Sequence, residues 1–309
     1  MSSTHSRAAD DGCARRSASA GEEMLASAGR TRAWVVLEWP GTWSADPLET
    51  AAVPAASELV RRTRELGLRL TLARRHDRGR RPGRQLYLVW TGPGQVWAEQ
   101  ATVDGPEALR DVDLAALAGG CRPGFGRPLC EPVFLVCTHG KKDPCCARLG
   151  RPAFRALATA FGGQVWESTH LGGDRFAANL VCLPHGLYFG RVGPADALRI
   201  ANAYREGRIE LGHFRGRPCY SAPVQAADYH VRRHERLVGV DALRPVGHRR
   251  RAGGIHDVVL ESGTDVYDVR IEVRREGEPR PLVCREPQPA RPPTYRFVDL
   301  RRTPRSRSE

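Results

Sequence analysis

Three of the nine cysteines lie within ten residues of one another, in the segment CTHGKKDPCC. Cys137 is predicted to end a strand, and Cys145 and Cys146 are predicted to begin a helix. Loops at strand ends and helix N-termini present free backbone N–H groups, which stabilise thiolates and the sulfides of a metal cluster. Disulfides are rare in the cytoplasm, where we expect this protein, so grouped cysteines indicate metal or redox chemistry.

A second motif, STHLGGDRFAANL, lies at residues 168–180 and adds further potential ligands. His170 leaves a predicted strand, two glycines follow the next residue, and Asp174 comes directly after them. Consecutive glycines allow the backbone to turn sharply or to pass close to a bound group. A histidine beside such a turn, in a chain that also has a cysteine trio, predicts a ligand rather than an isolated surface residue.

The hydrophobic pattern predicts the elements that carry both motifs. In the second half, strands are predicted at 133–137, 164–169, 179–184 and 187–192, and helices at 144–163 and 194–207. In the first half, strands are predicted at 33–38, 68–75, 86–92 and 96–103, and helices at 54–66 and 106–120. This is the element order of a thioredoxin-like unit, in which the first strand–helix loop and the later loop meet at one end of the sheet. We therefore expect Cys137, Cys146 and His170 to converge.

Two copies of one topology predict an α/β fold of tandem thioredoxin-like units. The corresponding strand-to-loop junctions are VLEWPG (36–41) and VCTHG (136–140), and the first contains no cysteine. The chemistry is therefore predicted in the second unit alone. The predicted organisation is a mobile N-terminal tail (1–30), a degenerate unit without ligands (31–125), a ligand-bearing unit (126–225) and a small β-rich extension with a basic tail (226–309).

The extension has its own predicted elements and no catalytic signature. We expect a short helix at 231–243, strands at 257–262, 266–275 and 281–286, and a proline-rich segment at 287–300. Cysteines outside the two motifs are interpreted as structural or incidental: Cys13, Cys121, Cys130, Cys219 and Cys284.

The two motifs together resemble the sucrase/ferredoxin-like family. The similarity is specific over residues 133–192, which include VCTHGKKDPCCARLGRP and VWESTHLGGDRFAANLVCLPHGLYFGRV, and weaker similarity extends from about Cys13 to about Ala226. The resemblance implies thioredoxin-like ferredoxin domains with a [2Fe–2S] cluster in the second. It also implies two cysteine and two histidine ligands, the histidines four residues apart.

Carried over to this sequence, the resemblance assigns Cys137 and Cys146 as the cysteine ligands and His170 as the first histidine. Asp174 occupies the place of the second histidine, which is a departure from the family pattern. Three outcomes stay open. Asp174 ligates iron through a carboxylate oxygen, another side chain replaces it, or the cluster is bound weakly or not at all. The alternative fourth ligands are Cys145, Cys182 and His185.

The principal functional prediction is a ferredoxin-like protein that transfers electrons. Alternatives are a thiol oxidoreductase with Cys145 or Cys146 as nucleophile, and a structural module that binds zinc. The chain has no C-x-x-C motif, which counts against the oxidoreductase. We expect no sucrase activity, because no acid-bearing motif indicates the paired carboxylates of a glycosidase. Whether the protein is an enzyme stays open, although an electron carrier is favoured over a hydrolase.

Composition limits the partners that we expect. The 309 residues have a net charge of +13, and Arg61–Arg84 alone, with ten arginines and two acids, contributes +8. Because 46 of the 48 basic residues are arginine and no helix-turn-helix or base-stacking pattern accompanies them, the sequence does not predict nucleic-acid binding. An unidentified acidic redox partner is the preferred interpretation. Because the sequence shows no signal peptide and no apolar run of about 20 residues, the protein is predicted to be soluble and cytoplasmic and to have no membrane partner. The oligomeric state is not predicted.

Overall fold

Continuous apolar runs form the central strands of the structure, a computed structural model that describes residues 12–48, 56–76, 79, 82–285 and 288–305. The runs AWVVLE and VFLVC are buried along almost their whole length, as expected for strands covered on both faces. The first half contributes β1 (Ala33–Glu38), β2 (Arg69–Arg74), β3 (Arg84–Trp90), β4 (Trp97–Val103) and β5 (Arg127–Pro128). The second half contributes β6 (Val133–Cys137), β7 (Val165–Ser168), β8 (Leu180–Leu183), β9 (Leu187–Phe189) and β10 (Phe214–Gly216).

These ten strands form one mixed sheet in the order β10-β9-β8-β6-β7-β2-β1-β3-β4-β5. In the first half, β1 is parallel to β2 and antiparallel to β3, and in the second half β6 is parallel to β7 and antiparallel to β8. The halves meet where β2 pairs with β7 in antiparallel fashion, with Ala73 opposite Ser168. The sheet is therefore continuous across the predicted boundary between residues 125 and 126.

The sheet curls so that side chains of distant strands meet on its inner face. The rings of Trp34 on β1 and Tyr188 on β9 lie 6.1 Å apart, although these strands are not neighbours. Tyr87 and Trp166 make a similar contact at 5.8 Å. The inner face is thus a single hydrophobic core shared by both halves, and Cys137 and Cys146 lie within it.

Helices cover the outer face. The described helices are α1 (Cys13–Ser19), α2 (Ala56–Glu65), α3 (Leu114–Gly119), α4 (Pro144–Phe161), α5 (Pro194–Arg205) and α6 (Ala222–Glu235). Leucines of α2 and α3 pack on the first half, and residues of α4 and α5 pack on the second half. The predicted helix at 106–120 is a 3₁₀ helix (Pro106–Asp111) followed by α3. Among the described residues, every helix is too short or too polar to cross a lipid bilayer.

The N-terminal residues differ from the predicted mobile tail. Residues 1–11 lie outside the described part, but Cys13 and Ala14 of α1 are buried against Cys145 and Ala177. Glu22 also forms a 2.8 Å ion pair with Arg175. The segment from residue 12 onward is therefore part of the folded body. Its Ala/Ser/Gly composition concealed this, because small residues pack closely without producing a hydrophobic pattern.

The extension is β-rich as predicted, and the strands predicted at 257–262 and 266–275 are present at 255–261 and 265–274, but its other elements are placed differently. Its strands are β11 (Arg244–Arg250), β12 (Ile255–Glu261), β13 (Asp265–Arg274), β14 (Arg280–Pro281), β15 (Pro289–Ala290) and β16 (Thr294–Pro304). The helix predicted at 231–243 is α6, which ends at Glu235 because Arg236 adopts a left-handed conformation. The strand predicted at 281–286 is absent from its described part, residues 281–285, in which only Pro281 pairs. The eleven-residue β16 instead completes an antiparallel sheet that packs on α6.

Candidate metal centre

Cys137 and Cys146 are brought together by close contact between the end of β6 and the start of α4. Asp143 caps α4 by accepting a 2.8 Å hydrogen bond from the Cys145 backbone N–H, and Pro144 occupies the first helical position. Gly150 faces the strand: a β-carbon at this position would lie 2.1 Å from the carbonyl oxygen of Cys137. The absence of a side chain therefore lets the helix approach the strand end. Cys137 is 1% exposed and Cys146 is fully buried.

The Gly-Gly turn places His170 and Asp174 against the same two thiols. Gly172 and Gly173 both have left-handed backbone conformations, with φ angles of 91° and 80°. The Cys146 thiol donates a 3.1 Å hydrogen bond to Oδ1 of Asp174. Nδ1 of His170 lies 3.0 Å from the same oxygen, and the imidazole is the most exposed of the four side chains, at 30%.

The structure thus brings together Cys137, Cys146 and His170, whose ligand atoms lie within 4.8 Å of one another. Asp174, which is 5% exposed, contacts two of these three side chains. Cys145, His185 and Cys182 stand outside the group. The thiol of Cys145 lies 3.5 Å from that of Cys284 instead.

The other two alternative ligands belong to different environments. Cys182 is buried in the core on the outer face of the sheet, among residues covered by α4 and α5, where burial raises the pKa of its thiol. Nδ1 of His185 lies 2.6 Å from the hydroxyl of Tyr204. Neither side chain is grouped with the other donors.

The four side chains form a charged, mutually dependent cluster. The neighbouring Cys146 thiol holds the pKa of Cys137 well below its usual range, and the same contact raises the pKa of Cys146. Burial alone would lower the pKa of His170, but Asp174 and Cys137 outweigh it and raise that pKa to about 9. Burial would raise the pKa of Asp174, but His170 and Cys146 outweigh it and lower the pKa. The negative charge favoured on Cys137 and Asp174 and the positive charge favoured on His170 therefore stabilise one another.

One atom of the cluster indicates that a further group completes it. Nδ1 of His170 is buried, and its 3.0 Å contact with Oδ1 of Asp174 is an ion pair without hydrogen-bond geometry, so this nitrogen makes no well-formed hydrogen bond among the described residues. A buried imidazole nitrogen that lacks such a bond is in an unfavourable environment. Two thiols, an imidazole and a carboxylate are also a suitable donor set for iron or zinc. The residues present therefore fit a metal or an iron–sulfur cluster.

Two arginines, one buried and one half-buried, fix the loop that carries His170 and Asp174. Arg215 is 2% exposed and donates hydrogen bonds to the Gly172 carbonyl at 3.0 Å and to Asn179 Oδ1 at 2.6 Å. Arg69 donates a 2.8 Å hydrogen bond to the carbonyl of His170. These two residues could not be identified from the sequence, because in a chain so rich in arginine nothing distinguishes a guanidinium that binds a loop carbonyl from one in solvent.

Several arginines of the Arg61–Arg84 stretch are likewise engaged within the chain. Arg74 pairs with Glu167 at 2.7 Å, and Arg75 pairs with Glu38 at 3.1 Å. Arg61 pairs with two glutamates of its own helix. These arginines therefore contribute less free positive charge than the sequence indicates, and docking of an acidic partner stays a prediction.

The fold and this cluster define a mixed α/β protein with a buried Cys/Cys/His/Asp site suited to a metal or cluster. Residues 24–216, more than half of the chain, match the sequence profile of the sucrase/ferredoxin-like family. The chain belongs to that family, which confirms the resemblance carried by the two motifs.

Two individual proteins are similar over shorter regions. The "Altered inheritance of mitochondria protein 32" of Candida glabrata is 29% identical over 97 residues, which covers 26% of this chain and 31% of that protein. The chain thus spans about a third of that relative. A crystal structure of a cysteine-to-serine variant of the thioredoxin-like [2Fe–2S] ferredoxin from Aquifex aeolicus shares 18% identity, with a TM-score of 0.25, over 27% of this chain and 96% of that one.

Proposed function

We propose that this protein is a [2Fe–2S] protein that transfers electrons, and that its halves are tandem thioredoxin-like units of which only the second binds a cluster. The observation that carries the proposal is the convergence of Cys137, Cys146 and His170 within 4.8 Å, with Asp174 beside them. Membership of the sucrase/ferredoxin-like family supports the choice of cluster. The matching strand order and pairing directions of the two halves support the duplication.

Each of the four residues has a distinct role in this proposal. Cys137 and Cys146 supply thiolates from within the core, where water is excluded. His170 supplies an imidazole at the edge of the site and is the residue through which the site reaches solvent. Asp174 supplies a carboxylate oxygen in the position that the family pattern gives to histidine. A bound [2Fe–2S] cluster supplies a centre that accepts and releases one electron.

The chain's own residues hold this donor set in position before any cluster binds. Arg215 fixes both the Gly172 carbonyl and Asn179, and Asn179 donates a 2.9 Å hydrogen bond to the Gly173 carbonyl. The backbone of His139 also helps to lower the pKa of Cys137. Such a preorganised surround orients ligands and limits their motion.

Zinc is the second candidate, because the same thiols, imidazole and carboxylate suit one tetrahedral ion. A thiol oxidoreductase is less well supported. Its nucleophile must meet a substrate disulfide, yet Cys146 is fully buried and Cys145 is 2% exposed.

The test is anaerobic purification of the full chain, followed by visible and EPR spectra and by analysis of iron and acid-labile sulfide. We expect a red-brown protein with about two irons per chain, and loss of most iron in Cys137→Ser and Cys146→Ser. His170→Ala and Asp174→Ala should alter the spectrum. Cys182→Ser, which removes a buried thiol on the opposite face, is the matched control and should retain the native spectrum. A colourless protein with zinc at these residues would replace the cluster proposal, and an unchanged Asp174→Ala spectrum would move the fourth ligand elsewhere.

A further inference from the structure

A second group of sulfur ligands lies on the other side of the α4 N-terminus. Three segments that are far apart in sequence meet there: the start of α1, the start of α4 and the loop that follows β14. They contribute Cys13, Cys145 and Cys284, together with the carboxylate of Asp143, and all four donor atoms lie within 4.8 Å of one another. That Cys13 and Cys284, interpreted as structural or incidental, lie together was not predicted from the sequence.

We propose that Cys13, Asp143, Cys145 and Cys284 form a structural zinc site, separate from the candidate iron–sulfur site. Three thiolates and one carboxylate are a complete ligand set for tetrahedral zinc. In such a site the sulfur atoms lie about 2.3 Å from the metal, so neighbouring ligand atoms are about 3.5–3.8 Å apart. The Cys145 and Cys284 sulfurs are 3.5 Å apart, and the Cys13 sulfur is 3.6 Å from Oδ2 of Asp143.

The backbone around these donors has the arrangement of hydrogen bonds that supports a metal site. Each Asp143 oxygen accepts one backbone N–H, from Cys145 at 2.8 Å and from Cys284 at 2.7 Å, which fixes the carboxylate and leaves each oxygen lone-pair capacity. The Cys13 N–H lies 3.2 Å from the Cys284 sulfur and donates to it. These contacts hold the donors in position and are compatible with deprotonated thiols.

Burial and close packing favour a closed site over a catalytic one. Cys13, Asp143 and Cys145 are all at most 2% exposed, and Cys284 is half-buried. At Gly12 a β-carbon would lie 2.5 Å from the Cys145 sulfur, so the chain approaches the thiol as only glycine can. A structural zinc site has four protein ligands and no open position, which is the arrangement present here.

The position of the site gives it a role in the architecture. Cys13 belongs to the N-terminal segment, Cys145 to the second half of the sheet, and Cys284 to the extension. An ion bound by all three would connect segments separated by 130 or more residues, and its binding energy would contribute to the stability of the folded chain. This inference does not depend on the proposed function, because it concerns a different donor set.

The experiment is metal analysis of the full chain, purified anaerobically with reductant from medium that contains zinc and iron. We expect about one zinc per chain, with at least a fivefold loss of zinc in Cys13→Ser and in Cys284→Ser and no loss of iron in either. Cys219→Ser, which removes a buried thiol elsewhere in the chain, is the matched control and should keep its zinc. Urea unfolding followed by circular dichroism would establish that the variants are folded.

Other outcomes would overturn the inference. These are zinc content that does not change in both variants, iron bound at these residues in place of zinc, or a protein with no zinc whose mass shows a Cys145–Cys284 disulfide despite the reductant. Failure of the proposed function gives a different result. In that case Cys137→Ser would leave the iron content unchanged, while zinc would still depend on Cys284.

Discussion

Gly150→Ala should reduce metal binding strongly and the free energy of unfolding only slightly. A methyl group at this position would press against the backbone of Cys137 from the helix that carries Cys146. The added β-carbon would lie 2.1 Å from the carbonyl oxygen of Cys137 and 3.2 Å from its carbonyl carbon. An ordinary carbon–oxygen contact is about 3.3 Å, so α4 and the end of β6 must separate by about 1 Å. Metal–ligand distances tolerate changes of about 0.2 Å. Cys146 would therefore move out of range of a cluster held by Cys137.

Gly150→Ala should change the free energy of unfolding only slightly, although it should remove most of the bound iron. Overpacking of a core typically costs about 1–3 kcal/mol. Alanine is also favoured over glycine inside a helix by about 1 kcal/mol, which offsets part of that cost. We expect Gly150→Ala to lose about 0–2 kcal/mol in urea unfolding of the metal-free protein, yet to retain less than a fifth of the iron after anaerobic purification.

Gly119→Ala is the matched control, since Gly119 is also helical and a β-carbon there meets no atom within 4 Å. It should retain native iron and native or slightly higher stability. The reasoning would be refuted if Gly150→Ala carried the full complement of iron. It would also be refuted if Gly119→Ala and Gly150→Ala lost iron to the same extent, because the loss would not then arise from the contact with Cys137.

Three further predictions concern other parts of the molecule. Gly173→Ala should lower the free energy of unfolding by about 1 kcal/mol or more beyond the loss in Gly172→Ala. Both residues have left-handed φ angles, but only at Gly173 would a β-carbon lie 2.3 Å from the guanidinium of Arg215. Equal losses of unfolding free energy in the two variants would refute this prediction, because they would show that the guanidinium of Arg215 moves aside without cost. Arg232→Met should cost about 3–5 kcal/mol in urea unfolding, since it leaves a buried aspartate unpaired, whereas Arg199→Met at an exposed ion pair should cost less than about 1 kcal/mol. Comparable losses in the two variants would contradict the expectation that an ion pair matters more to stability when it is buried. Burial lowers the pKa of His185 to about 4, so the native state resists a proton that the unfolded state accepts near 6.5. Stability is therefore lost as pH falls through this window, and His185→Gln should remove up to about 2 kcal/mol of the loss between pH 7 and 5; an unchanged pH dependence would refute the assignment.

The sequence predicted the strands around the candidate site closely, because their apolar runs are continuous and bounded by turns. β1 and β6 have the predicted bounds, and α4 differs from its prediction only at its C-terminal end. Strand formation at residues 281–285 and 294–304 was not predicted correctly. β16 carries a proline and several charges on an exposed surface, and it forms a strand because it pairs with β13 along its length, which no local pattern shows.

The candidate site was predictable in part for the same reason. Cys137, Cys146 and His170 lie in short motifs that can be recognised in the sequence. The topology that brings them together follows from the predicted order of strands and helices. Arg215 and Arg69 were not predictable, because their role depends on burial and on carbonyl groups of a distant loop. Cys284 was not predictable either, since it meets α1 and α4 through tertiary contacts with residues 271 and 139 positions away.

The adjacent pair Cys145–Cys146 shows most clearly what the sequence leaves ambiguous. Consecutive side chains on an α-helix point about 100° apart, so neighbours in sequence cannot both face one pocket. Here Cys146 faces Cys137 in the core inside the sheet, and Cys145 faces Cys13 and Cys284 on the opposite side. The apparent trio of cysteines is therefore divided between two donor groups on one helical turn. Both groups share this turn, yet Cys13→Ser and Cys284→Ser are expected to retain their iron. The iron and zinc contents of the single-cysteine variants would measure how strongly the two groups are coupled.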